Sequence, residues 1–171
     1  TFDRYGHRID EVNFHPAYDK LMEVGLTGGI ASVAWTAQSA GHVAHAAILY
    51  MMAQIEQGVC CPLTMTYAAL PALRHEPALA GVWEPRIKSG VYDATSAPAT
   101  QKRGATIGMA MTEKQGGSDV RANTTKATPA GDGIYTLMGH KWFCSAPMCD
   151  AFLTLAYTGK GLTCFLVPRW K

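Results

Sequence analysis

The sequence is poor in charge and has no run of like charges. Only 16% of its 171 residues are Asp, Glu, Lys or Arg, and the formal net charge is +2. The nearest approach to a basic run, Gln101-Lys102-Arg103, holds two cations. Composition thus gives no footing for a nucleic-acid or anionic-membrane surface. Cysteine is sparse and irregular. Cys60, Cys61, Cys144, Cys149 and Cys164 form an odd count with no CxxC pair, unlike a disulfide framework. Reduced cytoplasmic thiols are expected. Cys60-Cys61 reads as two small half-buried residues, because neighbouring cysteines close a disulfide only under strain. No Rossmann or P-loop fingerprint is present.

The polar start TFDRYGHRIDE is unlike a signal peptide. The apolar region from Ile30 to Ile55 contains Gln38, His42, His45 and Gln54, which are costly in lipid. A buried helix is expected there, not a membrane span. The chain begins without methionine and stops at Trp170-Lys171 straight after a strand-like run, so a piece of a longer protein is expected.

What is present is a large apolar share, 48%, which excludes a disordered chain. The first half has helical spacing. Pro16 stands where a first-turn proline would, before Ala17 to Glu23. From Gly28 to Gln57 one helix is expected, with Ile30, Ala34, Ala37, Gly41, Ala44, Ile48, Met52 and Ile55 on its buried face. Pro62 can open a further helix, Leu63 to Ala69, which Pro71 ends or kinks. Another helical turn or two is expected between Glu76 and Lys88. The aperiodic stretch from Gly90 to Arg103 reads as a connecting loop.

The second half reads as strands: Thr106 to Thr112, Asn123 to Thr128, Ile134 to Phe143, Ala151 to Tyr157 and Leu162 to Val167. Ala130-Gly131-Asp132-Gly133 and Thr158-Gly159-Lys160-Gly161 are hairpin signals. The fold class expected is α+β. A helical unit with its connecting loop, 1–103, precedes an incomplete antiparallel sandwich or barrel, 104–171.

Two segments carry the candidate chemistry. In Met109 to Val120, MAMTEKQGGSDV, a strand ends in a glycine turn whose backbone N–H groups and Ser118 hydroxyl can meet phosphate oxygens. Alone, the loop reads equally well as an ordinary Gly-Gly turn with a polar rim. In Gly139 to Ala146, GHKWFCSA, two adjacent aromatics on a strand would face opposite sides, and Ser145 would share the face of Phe143. Alone, this is a core strand before Pro147. His42 and His45 lack a third ligand at metal spacing, so packing is expected and no metal site is assigned.

Taken together, Thr112-Glu113, Gly117-Ser118-Asp119, Gly139, Lys141, Phe143 and Ser145 resemble the flavin signatures of the acyl-CoA dehydrogenase family. Further runs (QKRG, FHPAYDKLM, CPLTMTYAALP and CFLVPR) resemble its alkylation-response branch. Departures are Lys114, where proline is common, and Phe143, Ser145 and Ala146 for Trp, Thr and Asn. Phe143 keeps an aromatic and Ser145 keeps a hydroxyl.

The resemblance implies an N-terminal helical domain and a middle β-domain, with a C-terminal helical domain elsewhere. It implies FAD held by Met109, Met111, Thr112, Gly117, Ser118, Phe143, Cys144 and Ser145. It also implies an acyl-CoA substrate and a homo-oligomer, usually a tetramer. The reaction it implies is α,β-dehydrogenation with hydride transfer to the flavin. The base comes from the C-terminal domain, so no catalytic residue is assigned, and Glu113 and Asp119 are read as structural. An alternative is a protective flavoprotein that contacts duplex DNA through its C-terminal region and does little dehydrogenation.

Overall fold

In the computed structural model, residues 2–9 and 11–170 are described. Thr1, Asp10 and Lys171 lie outside the described residues, and with them both outer bounds of the expected units. Five helices come first: α1 (Pro16–Thr27), α2 (Val33–Thr36), α3 (Gly41–Ile55), α4 (Cys60–Leu73) and α5 (Pro77–Ile87). A five-stranded sheet follows: β1 (Ile107–Ala110), β2 (Lys126–Gly131), β3 (Ile134–Met138), β4 (Ala151–Thr158) and β5 (Gly161–Pro168).

Pro16 opens α1, and the His15 ring accepts the Ala17 amide at 3.2 Å as its cap. The single helix expected from Gly28 to Gln57 is broken. The chain turns at Gly29, makes one short turn of helix in α2, extends at Ala37 and passes through a left-handed Ala40 before α3. A Cβ on Gly41 would sit 2.9 Å from the Ala34 Cα and from two carbonyl oxygens, so this glycine lets α3 start directly against α2. The alanine-rich run keeps its apolar period across the break, which hides it. The expected buried face survives in part: Ile30, Gly41 and Met52 are buried, while Ala37 and Ile55 are exposed. Pro71 ends α4 rather than kinking it, since only two residues of helix follow.

Two core clusters form. Met22, Leu26, Ile30, Met52, Val59 and Leu63 pack among the helices. Leu70, Leu73, Trp83 and Ile87 pack against Ile107, Ala151 and Leu153, so this second cluster joins helices to strands. Thr66 marks the seam. Its hydroxyl accepts the Ile107 amide at 3.1 Å and donates to the Pro62 carbonyl at 2.7 Å. Among the described residues, no helix is long and apolar enough to cross a membrane.

The sheet is mixed, not antiparallel as expected. The hairpins β2–β3 and β4–β5 are antiparallel, and both turn signals lie at their tips. Asp132 and Gly133 both have positive φ, as the first turn requires. β4, however, runs parallel to β1, with Ile107 opposite Ala151, and touches β2 in parallel at Lys126 and Tyr157. The reason lies between β3 and β4. Residues 139–150 are not strand; they carry the chain back so that β4 starts beside the start of β1. Parallel neighbours need such a long connection.

Candidate functional site

The first candidate segment begins in β1 and leaves the sheet at Ala110, whose carbonyl accepts the Thr154 hydroxyl at 2.6 Å. Met109 and Met111 are half-buried and pack on the helix–strand core cluster. The chain then turns through Lys114 to Gly117, closed by the Gly116 amide donating to the Glu113 carbonyl at 3.0 Å. Gly116 has φ 122, a region that favours glycine. A Cβ on Gly117 would lie 2.7 Å from the Thr112 hydroxyl oxygen, so the loop folds tightly over Thr112. The Asn123 side chain donates from Nδ2 to the Met111 carbonyl at 2.9 Å, and Gln115 Nε2 donates to Asn123 Oδ1 at 3.1 Å. Asp119 accepts the Arg121 amide at 3.0 Å and so caps the short 3-10 turn Val120–Ala122. It serves as a cap.

The second segment lies alongside the first. The Trp142 amide donates to the Thr112 carbonyl at 2.8 Å, and Glu113 and Lys141 form a β-bridge. Gly139 makes the approach possible: a Cβ there would lie 2.1 Å from the Thr125 hydroxyl oxygen and 2.7 Å from the Thr125 Cα.

Glu113 is the centre of the arrangement. It is 2% exposed. It accepts the Thr124 amide at 2.6 Å, the Thr124 hydroxyl at 2.9 Å, the Thr125 amide at 3.0 Å, the Thr125 hydroxyl, and Lys141 Nζ at 2.9 Å. Burial pushes its pKa up. The Thr125 hydroxyl, the Thr124 amide, Lys141 and the Thr125 amide overcome that and hold the carboxyl well below the usual carboxylate range. Glu113 is therefore held as a carboxylate at neutral pH by five donors, an arrangement unsuited to taking a proton from a substrate.

Residues 139–146 do not continue β3 as expected. Phe143 and Ala146 are left-handed, with φ 54 and 53, and the Ser145 amide donates to the Phe143 carbonyl at 2.9 Å. This turn defeats the β preference of Trp142 and Phe143. Both rings are exposed, 48% and 77%, and meet edge to face at 6.0 Å. The expected alternation of faces is absent, and Ser145 does not share a strand face with Phe143. Ser145 instead lines an apolar cavity of about 610 Å³ with Ala17, Leu21, Val59 and Pro62 of the helical part.

The structure thus brings Thr112 beside the Trp142–Phe143 turn, with Gly117 folded over Thr112 and Met111 packed on the core cluster. Ser118 and Cys144 are exposed on their loops, and Ser145 is turned toward the helices. The sequence did not single out Thr124 or Thr125 for this site, because the threonines read only as β-formers. Gly139 stood out as part of the signature, and its steric reason emerges only once Thr125 is seen against it.

His42 and His45 have separate partners. The His45 ring donates from Nδ1 to the Ile30 carbonyl at 2.7 Å, and His42 Nδ1 lies 2.8 Å from the Tyr67 hydroxyl. Among the described residues, no group of three or more His, Cys, Asp or Glu side chains could hold a metal ion.

Comparison with known proteins agrees with this construction. Residues 1–94 match the family model of the adaptive response protein AidB N-terminal domain, and residues 108–171 match that of the acyl-CoA dehydrogenase middle domain. The chain is 49% identical to the AidB protein of Escherichia coli (strain K12) over 99% of its own length and 32% of that protein. Its fold matches the crystal structure of Caenorhabditis elegans ACDH-11 in complex with C11-CoA. That match has a TM-score of 0.81 and 27% identity, over 98% of this chain and 30% of that one. The likeness to butyryl-CoA dehydrogenase from Megasphaera elsdenii, TM-score 0.65 at 20% identity over 93% of this chain and 41% of that one, is one of fold. The chain spans 32% and 25% of the first two curated relatives. It belongs to the acyl-CoA dehydrogenase family, in the branch whose N-terminal domain is that of AidB.

Proposed function

We propose that the protein containing this chain is an FAD-dependent acyl-CoA dehydrogenase-like oxidoreductase of the alkylation-response branch. In this reading, residues 1–103 and 104–171 are its helical and middle units. The observation that carries the proposal is the joining of the Thr112–Gly117 loop to the exposed Trp142–Phe143 turn through the Trp142–Thr112 hydrogen bond and the Glu113–Lys141 bridge.

The residues fit the cofactor. The loop folded over Thr112 leaves no room for a Cβ at Gly117, and the neighbouring turn offers an aromatic ring to a planar ligand. Gly117 and Ser118 would bind the pyrophosphate through backbone N–H and hydroxyl donors. Met109, Met111 and Thr112 would line one side of the ring system, and Phe143 and Cys144 would approach from the second segment, whereas Ser145, turned toward the helices, would reach the cofactor only from that side. Bound FAD supplies a two-electron acceptor for a substrate hydride. Glu113 and Asp119 are engaged in the fold, so the proposal leaves the base to the rest of the protein. The C11-CoA complex of ACDH-11 supports an acyl-CoA as the substrate class.

Duplex DNA binding has no comparable observation behind it in this chain. Lys102, one of the two cations in the nearest basic candidate, is buried on Asp150. The test is anaerobic mixing of the FAD-loaded full-length protein with saturated acyl-CoAs of graded length. Bleaching of the flavin with formation of the enoyl-CoA supports the reading. Tight FAD with no bleaching by any acyl-CoA, together with steeply salt-dependent duplex binding, would replace it with the protective DNA-binding alternative.

A further inference from the structure

We propose that Glu113 and Lys141 are a positioning pair that sets the Trp142–Phe143 turn in register against the Thr112–Gly117 loop. The inference rests on the flavin reading, because its consequence is the geometry of that cofactor face.

Three segments of chain meet on one carboxylate. Glu113 itself belongs to the loop, Thr124 and Thr125 lead into β2, and Lys141 begins the turn. The ion pair is shielded, with side-chain exposures of 13% for Lys141 and 3% for Glu113. The far end of the turn is held in the same manner. Asp150, 5% exposed, accepts Lys102 Nζ at 2.6 Å and the Thr106 amide at 2.8 Å. The Asp150 amide donates to the Thr106 carbonyl at 3.0 Å. Residues 142–149 therefore run between two buried lysine–carboxylate pairs.

What lies between them needs holding. A bulky aromatic in the left-handed region is uphill, and Phe143 adopts it while 77% exposed, with no burial of its own to compensate. Local preference in Trp142-Phe143-Cys144 favours continued strand. Fixed ends that oppose that preference account for the turn. Lys141 donates and Glu113 accepts, and neither moves a proton, so the role is placement of the segment that faces the cofactor.

The experiment compares the full-length protein with its Lys141→Met and Lys141→Arg variants. The readouts are FAD titration of the apoprotein, visible circular dichroism of the bound flavin, and hydrogen exchange of residues 139–149 without flavin. Lys141→Met is expected to weaken FAD by about ten-fold or more, the size of one hydrogen bond to a charged group. It should also change the flavin dichroism and raise exchange across the turn, with helical content unchanged. Lys141→Arg, which keeps the charge and donors, should recover most of the affinity. Should Lys141→Met fail to fold, Lys141→Gln carries the same readouts. FAD affinity within about two-fold of the parent with unchanged exchange overturns the proposal. A parent protein that takes up no FAD overturns the flavin reading instead, and the exchange data still decide the pair.

Discussion

The Trp142 amide donates to the Thr112 carbonyl at 2.8 Å, and this bond joins two segments that the sequence keeps well apart. It also explains why the flavin signature is divided between two short runs. Each run builds one wall, and their junction makes the surface to which a flavin is assigned.

Gly139→Ala tests the closeness of that junction. The added methyl would lie 2.1 Å from the Thr125 hydroxyl oxygen and 2.7 Å from its Cα, so strand or turn must shift. A loss of about 1–3 kcal/mol is expected in chemical denaturation, as for other overpacked sites. Gly159→Ala meets nothing within 4 Å and should leave stability within about 0.5 kcal/mol of the parent. Equal effects from the two variants would contradict the packing described.

Lys102→Met should be costly without touching the cofactor face directly. Asp150 would stay buried with its main cation removed, since both side chains are 5% exposed. About 3–5 kcal/mol of stability is expected to go. The exposed Lys20–Glu23 pair offers the comparison, and Lys20→Ala should leave the unfolding midpoint unchanged.

Acid stability follows from two hydrogen-bonded carboxylates, the buried Glu113 and the half-buried Glu84. Folding holds the Glu113 carboxyl well below its ordinary 4.5, and the Arg74 guanidinium holds Glu84 at about 2 against burial. The unfolded chain therefore takes up these protons first as pH falls. Their stabilisation is complete above the ordinary carboxylate range and drains away below about pH 5. Urea midpoints measured from neutral pH downward should fall in that window. Glu113→Gln should start lower at neutral pH and show a shallower slope. A parallel slope would mean that Glu113 is not the linked group.

Phe143→Ala separates fold from function. The ring is 77% exposed and in the left-handed region, so its removal should change the apoprotein melting point little, within about 0.5 kcal/mol. FAD affinity should drop. A lower melting point with undiminished FAD binding would make Phe143 a structural residue.

Much of the fold was legible because period and turn chemistry agree. The hairpins at Asp132-Gly133 and Thr158–Gly161 were visible from glycines that permit tight turns. α1 was visible from Pro16 and the other helices from apolar spacing, but α4 starts at Cys60, two residues before the Pro62 expected to open it. The parallel β1–β4 pairing was not, because local pattern carries no strand direction. The break between α2 and α3 was hidden because alanine keeps helical spacing on both sides of it. At the site, the glycine loop and the aromatic pair stood out by type. The left-handed Phe143 and the five donors on Glu113 did not, since both depend on contacts far apart in sequence.

The most direct test of the account is the flavin content of the purified full-length protein, released by denaturation and identified chromatographically. The account predicts close to one FAD per polypeptide, or its uptake by the apoprotein on addition. A well-folded full-length protein that neither contains FAD nor takes it up would contradict it.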